Sequence, residues 1–325
     1  MYLDFFGLRE LPFELTPNPK YLYLTPRHLE ALSNLQYGLT ASKAVTVLIG
    51  EAGTGKTTLL KAALASDRCR HVRYVCLNNP VLTRVEFLLT LARSLGLSAD
   101  AGQSKALLLE ELESALQEAR SQGKVTAVVV DEAQSLSTEL LEEIRLLANI
   151  ETDAVKLLPL VLVGQPELGR RLEDRELRQL KQRVALRCEV TPFNLPETAT
   201  YVAYRIDKAG GVPHRLFTRE AVTRIHAFSG GIPRTINVVC DNALLNGLAL
   251  GRQPVGEEIV AEVCRDFSLG QALPHGRATG QRSMAFETTE SEARAAHRND
   301  GKGHHGAQDD SIGAERRLRA LGSRI

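Results

Sequence analysis

The chain has 325 residues, 43% of them hydrophobic and 24% charged, with a formal net charge of +1. That length accommodates an α/β domain and a smaller partner. The charge balance excludes a globally basic nucleic-acid or membrane binder, and no apolar run approaches the length of a membrane span. The acidic N-terminus, with Asp4 and Glu10, is not that of a signal peptide. Five cysteines without CxxC spacing argue against a zinc site and for reduced thiols in the cytoplasm.

Residues 1–43 form a lead-in with Tyr2, Phe5, Phe6, Phe13, Tyr21, Tyr23 and Tyr37, and with prolines at 12, 17, 19 and 26. These prolines predict an extended, turn-rich entry, followed by a helix from His28 to Leu39 with Leu29, Leu32, Leu35 and Leu39 at helical spacing. The lead-in is expected to pack on the core that follows. It either folds over a flat apolar base or acts as a packing strap without ligand contact, and periodicity does not separate the two.

The β-branched run Ala44–Ile49 predicts the first strand, and Leu59–Leu64 a helix. Between them lies Gly50-Glu51-Ala52-Gly53-Thr54-Gly55-Lys56-Thr57-Thr58, which fits GxxxxGK[ST]. Glycines let backbone N–H groups approach phosphates, and the positive end of the next helix faces the anion. Lys56 is expected to reach the β- and γ-phosphates of ATP, and the Thr57 hydroxyl to hold Mg²⁺. A second strand is predicted over His71–Asn79. Helices follow from the Thr83–Glu86 capping box to Leu95 and over Lys105–Ser121.

Val125–Val130 has almost no polar break, as in a strand buried on both faces of a parallel sheet. It ends in Asp131-Glu132, the carboxylate pair that would hold the metal (Asp131) and polarise the attacking water (Glu132). Leu157–Gly164 predicts a fourth strand ending in Gln165, Leu168–Gln182 a charged helix, and Ala185–Phe193 a fifth strand. Helices are then expected near 197–209, 218–229, 233–250 and 256–267, a helical lid on a doubly wound parallel sheet. The tail past Phe267 is too poor in apolar residues to offset its ordering entropy and reads as disordered. Its His304-His305 pair reads as solvated. Its end, with Leu318, Leu321 and Ile325 among four arginines, has a pattern that a partner or anionic surface could fold.

These words in this order, GEAGTGKTTLL, VVVDEAQSLS, LVGQPELG, LRQLKQRV and SGGIPRTINVVCDNALL, with the MYLDFFGLRELPF opening, resemble an AAA+ ATPase. More narrowly, they resemble the ExeA/GspA-type secretion ATPases and their relatives at exosortase loci, over roughly residues 1–267. The resemblance implies an AAA+ P-loop NTPase with a five-stranded parallel sheet, an all-α lid and a disordered tail. The corresponding ranges are 1–43 for the lead-in, 44–194 for the α/β domain, 195–267 for the lid and 268–325 for the tail. It also implies Gln165 as sensor 1, Arg234 as sensor 2 and Arg183 as an arginine finger serving a neighbouring subunit, with Arg178 and Arg187 as competitors. Asn78 would restrain Glu132. The implied protein is a cytoplasmic homo-oligomer, a ring, that hydrolyses ATP with Mg²⁺ and acts through envelope or secretion-system proteins. Larger members add a membrane span and a peptidoglycan-binding domain, which this sequence does not show. The alternative is an ATP-switched, DNA-associated regulator of the transposition type.

Overall fold

A computed structural model of the chain describes residues 2–16, 18–77, 82–98, 100–101, 104–152 and 155–271. Five parallel strands, β1 (Val45–Gly50), β2 (Val72–Leu77), β3 (Val125–Val130), β4 (Leu160–Gly164) and β5 (Val184–Val190), form one sheet in the order β2-β3-β4-β1-β5. The three central strands are buried at every position, whereas the edge strands β2 and β5 expose much of their length. This is why Val125–Val130 carries an unbroken apolar run while β5 carries Arg187 and Glu189. The strand separating β1 from β3 is β4; β2, which lies between them in sequence, pairs with β3 at the sheet edge.

Helices cover both faces. The lead-in contains α1 (Leu3–Phe6) and α2 (Pro26–Thr40); the core carries α3 (Lys56–Leu64), α4 (Arg84–Leu95), α5 (Lys105–Ser121), α6 (Thr138–Leu147), α7 (Pro166–Arg171) and α8 (Arg178–Lys181). On one face Val45, Val47, Val128, Val130, Leu160 and Leu162 pack with Leu91, Leu112, Ile144 and Leu168. On the other, Leu48, Val129 and Val161 pack with Leu35 and Leu39 of α2 and with Leu59 and Leu60 of α3. The period of two along each strand sends alternate residues to the two cores.

The charged helix expected over Leu168–Gln182 is broken. It consists of α7, a 3-10 turn at Arg175–Leu177, and α8. Leu168, Leu172, Leu177 and Leu180 are all buried. In one continuous helix Leu172 and Leu177, five residues apart, would point about 140° from each other. The break returns Leu177 to the core.

The lid is built from α9 (Leu195–Lys208), the short α10 (Pro213–Leu216), α11 (Arg219–Ser229), α12 (Pro233–Ala249) and α13 (Glu257–Gln271). Its core also takes in Tyr2, Phe6, Leu8 and Phe13. The lead-in therefore does not pack on the α/β core as a whole: residues 2–13 join the lid, and only α2 lies on the sheet. Tyr2 donates its hydroxyl hydrogen bond to Asp241 on α12, and Phe13 meets Phe217 edge-on at 6.2 Å between centroids. Residues 14–16 and 18–25 lie between the lid core and α2 on the sheet.

Cys69, Cys188, Cys240 and Cys264 are buried thiols, while Cys76 is exposed on the edge strand. The tail from residue 272, with its histidines and its arginine-rich end, lies outside the described residues. Among the described residues no helix is long and apolar enough to cross a membrane.

Phe13 is 1% exposed. Phe13→Ala should lower stability by about 3–5 kcal/mol, because the cavity it leaves adds to the lost burial. A urea unfolding curve with an unchanged midpoint would show that the segment does not belong to the lid core.

Candidate active site

The C-terminal ends of β1, β3 and β4 lie side by side, and the residues that leave them converge. After β1 the chain turns through Ala52–Gly55 into α3, whose first residue is Lys56. Gly53 and Gly55 have φ of 81° and 95°, where a side chain is strained, and a Cβ on Gly53 would lie 2.8 Å from Cβ of Arg234. Lys56 is buried, and its Nζ donates to the carbonyls of Gly50 and Glu51 at 2.9 Å each. Burial pushes its pKa down, against the opposing pull of Glu132, Asp131 and Glu51. Loop carbonyls therefore hold the ammonium where phosphate oxygens would replace them.

Thr57 Oγ1 donates to Asp131 Oδ2 at 2.9 Å, across the strand that separates them. Glu132 follows in the left-handed region at φ 54°. Its carboxylate Oε2 accepts from Gln134 Nε2 at 2.6 Å and from Gln165 Nε2 at 3.3 Å. The Gln134 hydrogen bond is the main reason its pKa lies below the usual carboxylate range; desolvation opposes this, and Gln165 and Lys56 assist.

Beside the phosphate loop is a cavity of about 450 Å³. Ala52–Leu59 and Glu132 form its floor, Arg234 and Asn237 of α12 one wall, and residues 14–16, 18 and 21–23 of the lead-in another. Arg234 lies in the first turn of α12, and its backbone N–H donates to the Gly53 carbonyl at 3.2 Å. His28 of α2 also lines the cavity, bonded to Thr25 at 2.7 Å and set against the Phe193 ring.

The structure thus brings together the phosphate loop, Asp131, Glu132, Gln165 and Arg234. It does not bring Arg183 to the cavity of its own chain: that side chain is exposed, near Glu151, whose carboxyl pKa is held down chiefly by Lys156 and only weakly by Arg183. Arg178 and Arg187 are also exposed, the latter 4.0 Å from Glu173. Asn78 lies outside the described residues.

Sequence reasoning missed Arg205 and Gln134. Arg205 is 6% exposed on α9 and fastens the lead-in over the cavity. Its guanidinium donates to the carbonyls of Pro12 and Glu14 and to Tyr201 Oη, and lies over the Tyr21 ring at 4.7 Å. The signal was present. Thr198, Tyr201, Val202, Arg205 and Ile206 form the buried stripe of an amphipathic helix, and a cation in such a stripe demands partners.

This fold and loop define an AAA+ P-loop NTPase, a nucleotide-binding protein. The family model described as "AAA domain" matches residues 40–172. Within the class the chain is related to the ExeA/GspA-type secretion ATPases. It is 42% identical over 256 residues to general secretion pathway protein A of Aeromonas hydrophila, covering 78% of this chain and 46% of that protein. The chain thus spans less than half the length of that relative. Among solved structures it is similar in fold to ORC2 of Aeropyrum pernix in its ADPNP–ADP complexes, at 20% identity and TM-score 0.57, over 81% of this chain and 74% of that one. It is likewise similar to Cdc6p of Pyrobaculum aerophilum, at 19% and 0.58 over 81% and 74%. Drosophila ORC bound to DNA matches at 19% and 0.60, over 79% of this chain and 64% of that one.

Arg205→Met keeps the bulk and removes the donors. It should free residues 14–23 for proteolysis and reduce stability by about 2–3 kcal/mol, since charged hydrogen bonds to buried carbonyls are lost. Unchanged cleavage kinetics would show that the strap is held by packing alone.

Proposed function

We propose that the protein hydrolyses ATP and uses the cycle to energise or regulate assembly of a secretion or exopolysaccharide export apparatus. The observation that carries the hydrolytic part is the meeting of Lys56, Thr57, Asp131 and Glu132 at the C-terminal ends of the central strands, beside a cavity lined by lead-in and lid. The export part rests on the 42% identity to general secretion pathway protein A.

In this reading the loop N–H groups and Lys56 bind the phosphates, and the cavity wall formed by residues 14–16, 18 and 21–23 holds the nucleoside. A hydroxyl and a carboxylate 2.9 Å apart are oxygen donors that suit Mg²⁺. Thr57 and Asp131 would hold it, and when bound it would offset charge on the phosphates. Glu132 orients the lytic water and takes its proton. Gln165 reads the state of the γ-phosphate, and Arg234 joins that phosphate to the lid.

Arg183 completes the site of the neighbouring copy in a homo-oligomeric ring, where a finger of this kind is worth roughly 10³–10⁵ in rate. Its exposure and its distance from its own cavity support a role in trans. The protein would work in the cytoplasm, peripheral at the inner membrane through envelope partners. The likeness to origin-recognition proteins concerns fold and adds no argument for DNA.

Lys56→Ala should lose ATP binding, whereas Glu132→Gln should bind ATP and hydrolyse it about 10²–10⁴-fold more slowly. Wild-type turnover by Glu132→Gln would overturn the catalytic assignment. Specific activity should rise with protein concentration, and Arg183→Ala should abolish that rise. A rate independent of concentration would remove the shared site. Cells whose copy carries Glu132→Gln should retain the exported polymer or protein; normal export, with hydrolysis stimulated by duplex DNA, would favour the DNA-associated alternative.

A further inference from the structure

Glu132 occupies a backbone conformation that L-residues avoid, so something must hold it. Its backbone N–H donates to Asp131 Oδ1 at 2.9 Å and its carbonyl accepts from Ser135, while the closest bond to its carboxylate comes from a side chain two residues on. Gln134 presents both ends of its amide: Nε2 donates to Glu132 Oε2 at 2.6 Å, and Oε1 accepts from the backbone N–H of Gln165 at 3.0 Å. Room for the second bond exists because β4 ends in glycine. A Cβ on Gly164 would lie 2.9 Å from Gln134 Oε1. The backbone of the same turn is fixed from the same direction, since Arg171 of α7 donates Nη1 to the carbonyls of Gln134 and Leu136 at 2.8 and 2.6 Å. The turn after β3 and the segment after β4 are therefore tied together by three hydrogen bonds.

We propose that Gln134 is the positioning residue of the site, a one-amide bridge that ties the Glu132 carboxylate to the backbone of Gln165 and carries any shift of Gln165 to Glu132. This rests on the reading of Glu132 as the base and Gln165 as the phosphate sensor. It goes beyond that reading by making the two one mechanical unit. Gln165 bonds the carboxylate at 3.3 Å; Gln134 bonds it more closely and also holds Gln165 itself. A γ-phosphate that draws Gln165 towards itself would pull on the amide and re-aim the carboxylate.

The test is steady-state hydrolysis, as kcat and KM, for the full chain with three variants. Gln134→Leu removes both hydrogen bonds at similar size, and Gln134→Glu keeps the acceptor for Gln165 N–H but sets a second carboxylate against Glu132. Glu132→Gln is the reference. In Gln134→Leu, kcat should fall about 10–100-fold, as for groups that orient a reacting residue, with KM for ATP unchanged. In Gln134→Glu, kcat should fall at least as far, because like-charge repulsion turns the Glu132 carboxylate away from its position. Adding Gln134→Leu to Glu132→Gln should slow hydrolysis no further, since the residue acts through Glu132.

A Gln134→Leu enzyme with wild-type kcat overturns the proposal. So does an equal loss in both backgrounds, which would mark general destabilisation. If Glu132→Gln itself turns over like wild type, the reading of Glu132 as base falls and this proposal with it. If that variant is inactive while Gln134→Leu is unaffected, only the bridge falls.

Discussion

The hydrogen bond from Thr57 to Asp131 is the contact around which the molecule is arranged. It joins the loop that leaves β1 to the end of β3, two strands away in the sheet. At roughly 4.8 Å per strand that gap is near 10 Å, and only β4 lies between. The insertion of β4 makes β3 the second neighbour of β1 and leaves its own tip, Gly164-Gln165, facing the gap. Lys56, Asp131, Glu132 and Gln165 are therefore close because of strand order, although more than a hundred residues separate the first from the last. All three strands are buried throughout, so the sheet can place these groups without competition from solvent along its length.

A second constraint acts from above. The chain enters in the lid core, crosses the cavity and only then reaches the sheet through α2. Lid and sheet are thus connected twice, through the lead-in and through the link between β5 and α9. The crossing segment is held by a buried guanidinium whose acceptors are two backbone carbonyls and a phenol. A buried cation without a good set of acceptors costs several kcal/mol, so this arrangement fixes the strap as firmly as it fixes Arg205. Through Arg205, α9 is tied directly to the wall of the cavity. Arg234 reinforces the link from the other side, through its backbone bond to Gly53.

Much of this was legible in residue order. Strands with no polar break, the phosphate loop, the DE pair and the lid helices all follow from local pattern, because burial on two faces and helix amphipathicity leave a direct trace. The places where reading failed share a cause: they depend on a contact distant in sequence. The run from Leu168 to Gln182 has helical composition, yet Leu177 needs the core and breaks it. Nothing in the first thirteen residues says that their aromatics complete the lid rather than cover the sheet. Gln134 looks like any polar residue in a turn until β4 arrives thirty residues later. Arg205 differs, since its place in an apolar stripe was visible and only its partners were not.

The conformation of Glu132 shows how close the site sits to a balance. A non-glycine residue at φ 54° is strained by about 1–3 kcal/mol. Against this stand two hydrogen bonds to an ionised carboxylate, each worth about 1.5–3 kcal/mol, one short and one long. With both in place the strained form is favoured. With one lost, the opposing terms become comparable and the carboxylate is free to turn. Both donors are tied to the segment after β4, and that segment runs on through α7 and α8 to Arg183. Movement of that segment would therefore act on both donors at once.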